Sequence, residues 1–92
     1  MKTAQTTVRN SSGLHARPAS DFVGTAKTFQ SAITIRVASH PAETAVNAKS
    51  IIRLLSLGIT AGTEVEISAN GPDELKAVDA LISLIDSGFG EE

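Results

Sequence analysis

The sequence predicts an α+β fold, an open-faced β-sandwich in which three helices cover one face of a four-stranded antiparallel sheet. Three observations predict it. The 92 residues are enough for one domain, residues 1–92, with a modest core. The candidate strands alternate apolar and polar side chains, so only one face of the sheet is apolar. The candidate helices each carry one apolar stripe, and the element order is β-α-β-β-α-β-α.

The first two elements are a strand and a long helix, separated by a polar loop. Residues 3–9 are rich in β-branched side chains and only weakly apolar, which is typical of a strand with one solvated face. Residues 10–13 have the composition of a loop. A helix then runs from Ala16 to about Gln30, because apolar residues recur at helical spacing. The members of this stripe are Ala19, Phe22, Val23, Ala26 and Phe29.

Two strands joined by a loop are predicted next. Residues 33–38 alternate apolar and polar side chains, which indicates a half-buried strand. Residues 39–43 form a loop, because Pro41 disfavours helical backbone at His40. Residues 44–47 then form a short returning strand.

A short helix, a strand and a second long helix complete the predicted order. Ser50 is a suitable N-cap for a helix over residues 51–57, which Gly58 ends. Residues 64–68 alternate again and predict a strand. Residues 70–74 predict a helix start with Pro inside the first turn and acids where the helix dipole favours them. The apolar stripe of this last helix is Leu75, Val78, Leu81, Ile82, Ile85 and Phe89.

The composition argues against several classes of function. Three Phe without Trp or Tyr disfavour the binding of single-stranded nucleic acid by base stacking. The absence of Cys excludes disulfide scaffolds and thiolate metal sites. No apolar run approaches the roughly 18 residues of a membrane span, and the polar N-terminus does not resemble a signal peptide. We therefore expect a cytoplasmic protein that is not inserted into a membrane.

The charges are distributed unevenly along the chain, although the net charge is only −2. Residues 1–60 carry seven basic and two acidic groups, whereas residues 61–92 carry one basic and eight acidic groups. A basic first part suits an anionic partner or phosphate chemistry, and two ordinary solvated faces would give the same split. The acidic last third argues further against a nucleic-acid partner.

The segment with the clearest chemical potential places His15 between a polar loop and the start of a helix. The first N–H groups of a helix lack intrahelical acceptors and form an anion site. Neutral imidazole is a nucleophile near neutral pH, and Arg17 supplies a forked cation suited to phosphoryl oxygens. Pro18 disfavours helical backbone at Arg17, so the N-cap is either His15 or Arg17. A pair of ordinary surface residues would show the same spacing.

Residues 13–19, Gly-Leu-His-Ala-Arg-Pro-Ala, resemble the active-site signature of the HPr family, the histidine-containing phosphocarriers of the bacterial phosphoenolpyruvate-dependent sugar phosphotransferase system. Residues 46–52 and 56–59 resemble the segment that holds the family's regulatory serine. The resemblance covers nearly the whole chain. It implies that His15 accepts a phosphoryl group at Nδ1 from phosphorylated enzyme I and passes it to a sugar-specific enzyme IIA. It also implies that Arg17 holds the phosphoryl group, in a carrier without turnover of its own and without metal or cofactor.

The resemblance further implies that Ser50 matches the serine that an HPr kinase/phosphorylase modifies in many bacteria, after which the modified protein can bind a transcriptional regulator. A purely structural N-cap would explain Ser50 equally well. Because the dipole at a helix N-terminus favours a phosphate there, we expect the fold to tolerate the modification. The added charge would instead affect docking to partners.

The second predicted helix carries more apolar residues than one narrow stripe can bury. Some of them must therefore be exposed, and an exposed apolar cluster beside a reactive His is typical of a docking surface. Core packing is the alternative for each residue singly. The resemblance implies that the contacts with enzyme I and enzyme IIA are made by Ala16, Ser20, Ile51, Ile52, Arg53 and Leu55.

The stretch 37–46 departs from the family pattern, because it is longer than the tight turn that usually joins these strands. His40 within it is expected to be a solvated loop residue, since no second ligand candidate lies near it in the sequence. The departure leaves the branch of the family open. A second hypothesis is therefore a regulatory module that acts through protein binding in carbon or nitrogen catabolite control. Nothing in the sequence requires more than a monomer.

Overall fold

The strands and α-helices follow one another in the predicted order in the computed structural model, which describes residues 1–90. Two short 3-10 turns, Ala42–Thr44 and Gly88–Gly90, are added to that order. No helix within the described residues is long and apolar enough to cross a membrane. The elements are β1 (Lys2–Thr7), α1 (Ala16–Lys27), β2 (Ala32–Val37), β3 (Val46–Asn47), α2 (Ile51–Ser56), β4 (Glu64–Asn70) and α3 (Glu74–Asp86).

The four strands form one antiparallel sheet in the order β1-β4-β2-β3. Along β4 the side chains of Val65, Ile67 and Ala69 are buried, and those between them are at least partly exposed. The helix α3 packs against β1 and β4, and α1 packs against both α2 and α3. The helices therefore cover one face of the sheet, which confirms the open-faced sandwich.

The core lies between the sheet and the helices, and both long helices contribute the stripes that their periodicity predicts. Phe22 of α1 and Leu81 of α3 are fully buried. The other fully or almost fully buried apolar residues are Val8, Leu14, Ala19, Val23, Ala26, Ile33, Ile35, Ala48, Leu54, Ile59, Val65, Ile67, Ala69, Ala77, Val78 and Ile85.

Several predicted element ends are wrong in the first half of the chain. The strand β1 is Lys2–Thr7 rather than residues 3–9, and β2 is Ala32–Val37 rather than residues 33–38. The helix α1 ends at Lys27 rather than near Gln30, although Phe29 still packs against the core from the following turn. The strand β3 contains only Val46–Asn47, because Ala42–Thr44 form a 3-10 turn before it.

The ends of the last helix also differ from the prediction. Asp73 is the N-cap of α3, so Pro72 precedes the helix instead of lying in its first turn. The helix ends at Asp86, and Phe89 is not a helical residue. Phe89 lies in the final 3-10 turn with a φ of 56° and packs beside the core from there.

Asp73 joins the start of α3 to the turn between α1 and β2. Its carboxylate accepts hydrogen bonds from the backbone N–H of Gln30 at 2.9 Å and of Ser31 at 3.0 Å, and from Ser31 Oγ at 2.5 Å. The hydrogen bond from the Ser31 side chain, followed by that from the Gln30 backbone, lowers the pKa of Asp73 below its ordinary value of 3.8. This carboxylate therefore stabilises the fold in its ionised form.

The Asp73→Asn variant is expected to lose part of the acid sensitivity of the wild-type protein. Because the pKa of Asp73 is lower in the folded than in the unfolded state, its contribution is fully present above about pH 4 and is lost as the pH falls through the lowered value. Urea unfolding from pH 7 to pH 3 measures this. The stability difference between wild type and variant should shrink below pH 4. The exposed Asp79 offers the control Asp79→Asn, and a difference that stays constant down to pH 3 would contradict the assignment.

The solvated face of the sheet holds a polar network that orders the long 38–45 loop. Glu66 pairs with Arg36 at 2.9 Å and accepts a hydrogen bond from Gln5 at 3.0 Å. The Gln5 hydrogen bond, the larger cause, and the Arg36 charge lower the pKa of Glu66. His40 is exposed, as expected. Arg36 Nη1 in turn donates to the backbone oxygens of Val37, Ala38 and His40 at 3.3, 2.8 and 2.7 Å.

Candidate functional site

The loop that leads into α1 is fixed to a distant part of the chain. Asn10 Nδ2 donates to the Gly13 oxygen at 2.9 Å, and the Leu14 N–H donates to the Ile59 oxygen at 3.1 Å. Gly13 has a φ of +64°, and a Cβ there would lie 2.6 Å from the Ile59 oxygen. Leu14 is fully buried. The next residue, His15, therefore leaves a backbone that has little freedom to move.

His15 is the N-cap of α1, with extended backbone at φ −130° and ψ 160°. The choice that the sequence left open between His15 and Arg17 is thus decided for His15. The imidazole makes no capping hydrogen bond and is partly exposed. The first N–H groups of a helix have no acceptor within the helix, and in α1 the first two belong to Ala16 and Arg17, the residues that follow His15.

Ala16 adopts left-handed backbone with a φ of 53°. This conformation costs a residue with a Cβ about 1–3 kcal/mol. The surrounding structure must therefore stabilise it, and the hydrogen bonds of Gly13 and Leu14 are available to do so. The result is a sharp change of chain direction between the cap residue and the regular helix.

Arg17 is exposed and lines a cleft of about 360 Å³ together with Pro18, Asp21 and the turn at Phe89–Gly90. The sequence analysis did not predict that Asp21 and the Phe89–Gly90 turn would line a cleft with Arg17. Asp21 could have been found, because it lies four residues after Arg17 and therefore on the same helix face. The approach of Phe89–Gly90 depends on how the chain end packs, which no local pattern indicates.

Ser50 is the N-cap of α2, as predicted. Its Oγ accepts a hydrogen bond from the Arg53 N–H at 3.3 Å, and the Leu54 N–H donates to the Ser50 backbone oxygen at 2.9 Å. The helix ends at Ser56, with Leu57 as C-cap and Gly58 following in left-handed backbone. The structure thus confirms that Ser50 is an N-cap.

The Ser50→Ala variant is expected to destabilise the protein by about 1 kcal/mol, the usual effect of removing an N-cap. The Ser50→Asp variant should retain most of the stability, because a carboxylate can also cap and is favoured by the helix dipole. Urea unfolding at neutral pH measures both variants. Wild-type stability in Ser50→Ala would show that the cap hydrogen bond contributes little, and equal losses in the two variants would show that a carboxylate does not replace it.

Three large apolar side chains of α2 face solvent, as predicted from their number. Ile51, Ile52 and Leu55 are 38, 78 and 41% exposed, whereas Leu54 is fully buried. With the exposed residues Ala16, Ser20 and Arg53 they make up the set that the resemblance predicts to contact partners, and we call this set the docking face. Ser20 and Ile51 line one groove of about 290 Å³ between α1 and α2, with Val23, Gly24 and Lys27. The fold therefore brings at least Ser20 and Ile51 together.

Ser50 and His15 lie toward opposite ends of α1. Lys49, which precedes Ser50, reaches the Phe29 oxygen just beyond the C-terminus of α1 at 2.7 Å. His15 caps the other end of this 12-residue helix, which spans about 18 Å. The two side chains are therefore too far apart for direct contact.

The acidic and histidine residues of the described part of the chain form no group of three or more that could hold a metal ion. The arrangement at His15 is instead suited to an anion, because it combines a helix N-terminus, an unengaged imidazole and an exposed guanidinium.

A comparison with protein families shows which family the chain belongs to. The sequence model of the family described as "PTS HPr component phosphorylation site" matches residues 2–87. The chain belongs to the HPr family. The resemblance seen in the sequence is thereby confirmed, and as a family member the chain is a phosphocarrier that has no catalytic turnover of its own.

Relatives of this HPr-family chain include two separate carriers and one larger protein. The chain is 41% identical to the phosphocarrier protein NPr of Proteus mirabilis, over 92% of this chain and 91% of the relative. It is 47% identical to the phosphocarrier protein HPr of Haemophilus influenzae, over 82% of this chain and 84% of the relative. A multiphosphoryl transfer protein of Haemophilus influenzae is 39% identical over 92% of this chain, but the match spans only 17% of that protein.

Solved structures of HPr proteins share the fold. HPr-C-His from Thermoanaerobacter tengcongensis has a TM-score of 0.91 and 47% identity, with 100% of this chain and 99% of that chain covered. The HPr family implies phosphotransfer partners such as enzyme I.

Proposed function

We propose that this HPr-family protein accepts a phosphoryl group on His15 from phosphorylated enzyme I and donates it to a sugar-specific enzyme IIA. The group originates in phosphoenolpyruvate. The proposal rests chiefly on one observation: the His15 imidazole stands at the N-cap of α1, partly exposed and free of a capping hydrogen bond. The protein would act as a single-domain, monomeric carrier in the cytoplasm and would need no cofactor.

The acceptor step is a nucleophilic attack of the imidazole on phosphorus. The Nδ1 atom of His15, the nitrogen that the family uses, forms the N–P bond. The bond between phosphorus and the enzyme I donor atom breaks, and its electron pair remains on enzyme I. Donation follows the same chemistry in reverse, because a nucleophile of enzyme IIA takes the phosphoryl group and the N–P electron pair returns to Nδ1.

The N-terminus of α1 and Arg17 stabilise the phosphoryl charge on His15. A helix N-terminus contributes about 0.3–1 kcal/mol to an exposed anion, and Arg17 adds an exposed guanidinium. These contributions are small, which suits a carrier, because a phosphoryl group held too tightly would not be passed on. An exposed site with one arginine is therefore better matched to reversible transfer than an enclosed site with several.

We propose that the phosphotransfer partners bind at the docking face. Ile52 and Leu55 supply exposed apolar surface, and Arg17 and Arg53 supply positive charge beside it. An acidic partner surface with an apolar centre fits this combination. We therefore propose that enzyme I and enzyme IIA use this one face in turn, with Ala16, Ser20 and Ile51 as further contacts.

Regulation at Ser50 is a second part of the proposal. A phosphate on Ser50 would stand at the N-terminus of α2, where the helix dipole favours it, so the fold should remain intact. Its negative charge would lie beside Ile51, Ile52 and Arg53 and would oppose the approach of an acidic partner. An HPr kinase/phosphorylase would add and remove the group, and a transcriptional regulator would bind the modified form.

The alternative function is a regulatory module that acts mainly through protein–protein binding in carbon or nitrogen catabolite control. The similarity to an NPr protein over 92% of the chain favours the nitrogen branch of this alternative. Its phosphoryl chemistry at His15 would be the same, and its partners would differ.

Both functions are tested by offering the protein phosphoenolpyruvate and the cognate enzyme I and recording its intact mass. The proposal predicts the gain of one acid-labile phosphoryl group, which is lost when a sugar-branch enzyme IIA is added. Faster loss to a nitrogen-branch enzyme IIA would favour the alternative. If the folded protein gains no phosphoryl group from its cognate enzyme I, the proposal is wrong.

A further inference from the structure

The helix α2 is too short to hold its own position. It contains six residues, and Leu54 is its one fully buried side chain. Helices of fewer than about 12 residues are marginal in isolation. The orientation of α2, and with it the exposed side chains of Ile51, Ile52 and Leu55, must therefore depend on the attachments at its ends.

Lys49 provides such an attachment immediately before the Ser50 cap. Its Nζ donates to the Phe29 backbone oxygen at 2.7 Å, and its backbone N–H donates to Asn47 Oδ1 at 2.9 Å. The side chain is half-buried. Its ammonium lies just past the C-terminus of α1, where the partial negative charge of the helix favours a cation. Lys49 is thus bonded through both its backbone and its side chain.

We infer that Lys49 is a positioning residue that fixes α2 against the end of α1 and so fixes the docking face for the phosphotransfer partners. This inference rests on the proposed function, since it concerns how partners reach His15. Lys49 lies toward the end of α1 opposite His15 and does not touch the reacting atoms. Its loss should weaken partner binding and leave the chemical step unchanged.

The structural consequence is a looser α2. Without the ammonium, the Phe29 oxygen loses a charged hydrogen-bond donor. The turn at residues 47–50 then keeps its backbone hydrogen bond from the Ala48 N–H to the Ile33 oxygen of β2, but it has lost the Lys49 hydrogen bond to the end of α1. Opening of α2 should then become more frequent, because a short helix with one buried side chain gains little from its own contacts. The same effect is expected for any chemical change that removes the charge of Lys49.

The test compares Lys49→Met, which keeps the aliphatic stem, with Lys49→Arg, which keeps a charged donor. Two quantities are measured: amide hydrogen exchange in α2, and the KM and kcat of enzyme I with the variant as phosphoryl acceptor. For Lys49→Met we expect exchange at Leu54 and the neighbouring α2 amides to rise. We also expect KM to rise roughly three- to tenfold, the size of one ordinary hydrogen bond, at unchanged kcat. In Lys49→Arg, both the exchange of the α2 amides and KM should return most of the way to their wild-type values. Lys76→Met, at an exposed lysine of α3, controls for net charge.

Each other outcome contradicts the inference in a recognisable way. Wild-type exchange and KM in Lys49→Met would show that the bond positions nothing. A raised KM with unchanged exchange would show that Lys49 contacts the partner directly. An equal rise of KM in Lys76→Met would show an effect of net charge alone. If the wild-type protein accepts no phosphoryl group, the proposed function fails, whereas the exchange measurement still reports on the role of Lys49.

Discussion

Replacing His15 with alanine is expected to abolish phosphoryl transfer while leaving the fold intact. The variant lacks the nucleophile, and no neighbouring residue of the N-cap replaces it, since Ala16 has no functional group and Arg17 is a permanent cation. Acceptance from enzyme I should fall below detection. The imidazole makes no capping hydrogen bond and is only partly buried, so the free energy of unfolding should change by no more than about 0.5 kcal/mol.

The measurement combines intact mass after incubation with phosphoenolpyruvate and enzyme I with urea unfolding of the same sample. The matched control is His40→Ala, which removes the other histidine from an exposed loop and should leave transfer unchanged. Transfer that persists in His15→Ala would place the phosphoryl group elsewhere. Loss of transfer in both variants would show that the assay, and not the site, has failed.

Replacing Gly13 with alanine is expected to produce the largest loss of stability among single small changes near the site. A Cβ at Gly13 would lie 2.6 Å from the Ile59 oxygen and 2.7 Å from the Thr60 Cα, both of which are backbone atoms that cannot rotate away. The left-handed φ of +64° adds its own penalty. We expect a loss of about 3 kcal/mol from conformational strain and overlap together. Because the displaced loop carries His15, the rate of phosphoryl transfer should fall as well.

Gly58→Ala is the matched control for the conformational part of that effect. Gly58 has nearly the same φ, +62°, but no atom lies within 4 Å of the position that a Cβ would occupy. This variant should lose only about 1 kcal/mol. The difference between the two variants in urea unfolding measures the overlap with residues 59–60. Equal losses would show that the close approach of the two loops has little energetic weight.

Local signals in the sequence were sufficient to place His15 at the start of a helix and Ser50 at an N-cap. The helical stripe of α1, the polar loop before it and the Ser50 cap depend on neighbours within a few residues. The choice between His15 and Arg17 as N-cap was not local. It depends on backbone that Gly13 and Leu14 adopt because they contact Ile59, more than 40 residues away. Local propensity therefore places the His near a helix start, and tertiary contacts decide its exact role.

The wrong start of the last helix also depends on contacts between distant parts of the chain. Pro72 suits a first helical turn by propensity, but Asp73 becomes the cap and its carboxylate bonds to Gln30 and Ser31 from another part of the chain. In the long 38–45 loop, Arg36 donates hydrogen bonds to the backbone oxygens of Val37, Ala38 and His40. Any residue type at these positions could supply the same oxygens. Side chains that bond to backbone leave no signature in the sequence of their acceptors.

The most direct test of the central claim is an amide NMR spectrum of the isotope-labelled protein before and after phosphorylation by enzyme I and phosphoenolpyruvate. If the phosphoryl group is carried on His15 at the N-terminus of α1, the largest shifts should occur at the amides of Ala16 and Arg17, which are the first N–H groups of the helix. A phosphorylated protein whose largest shifts lie at the start of α2 or along α3, with Ala16 and Arg17 unmoved, would contradict the claim.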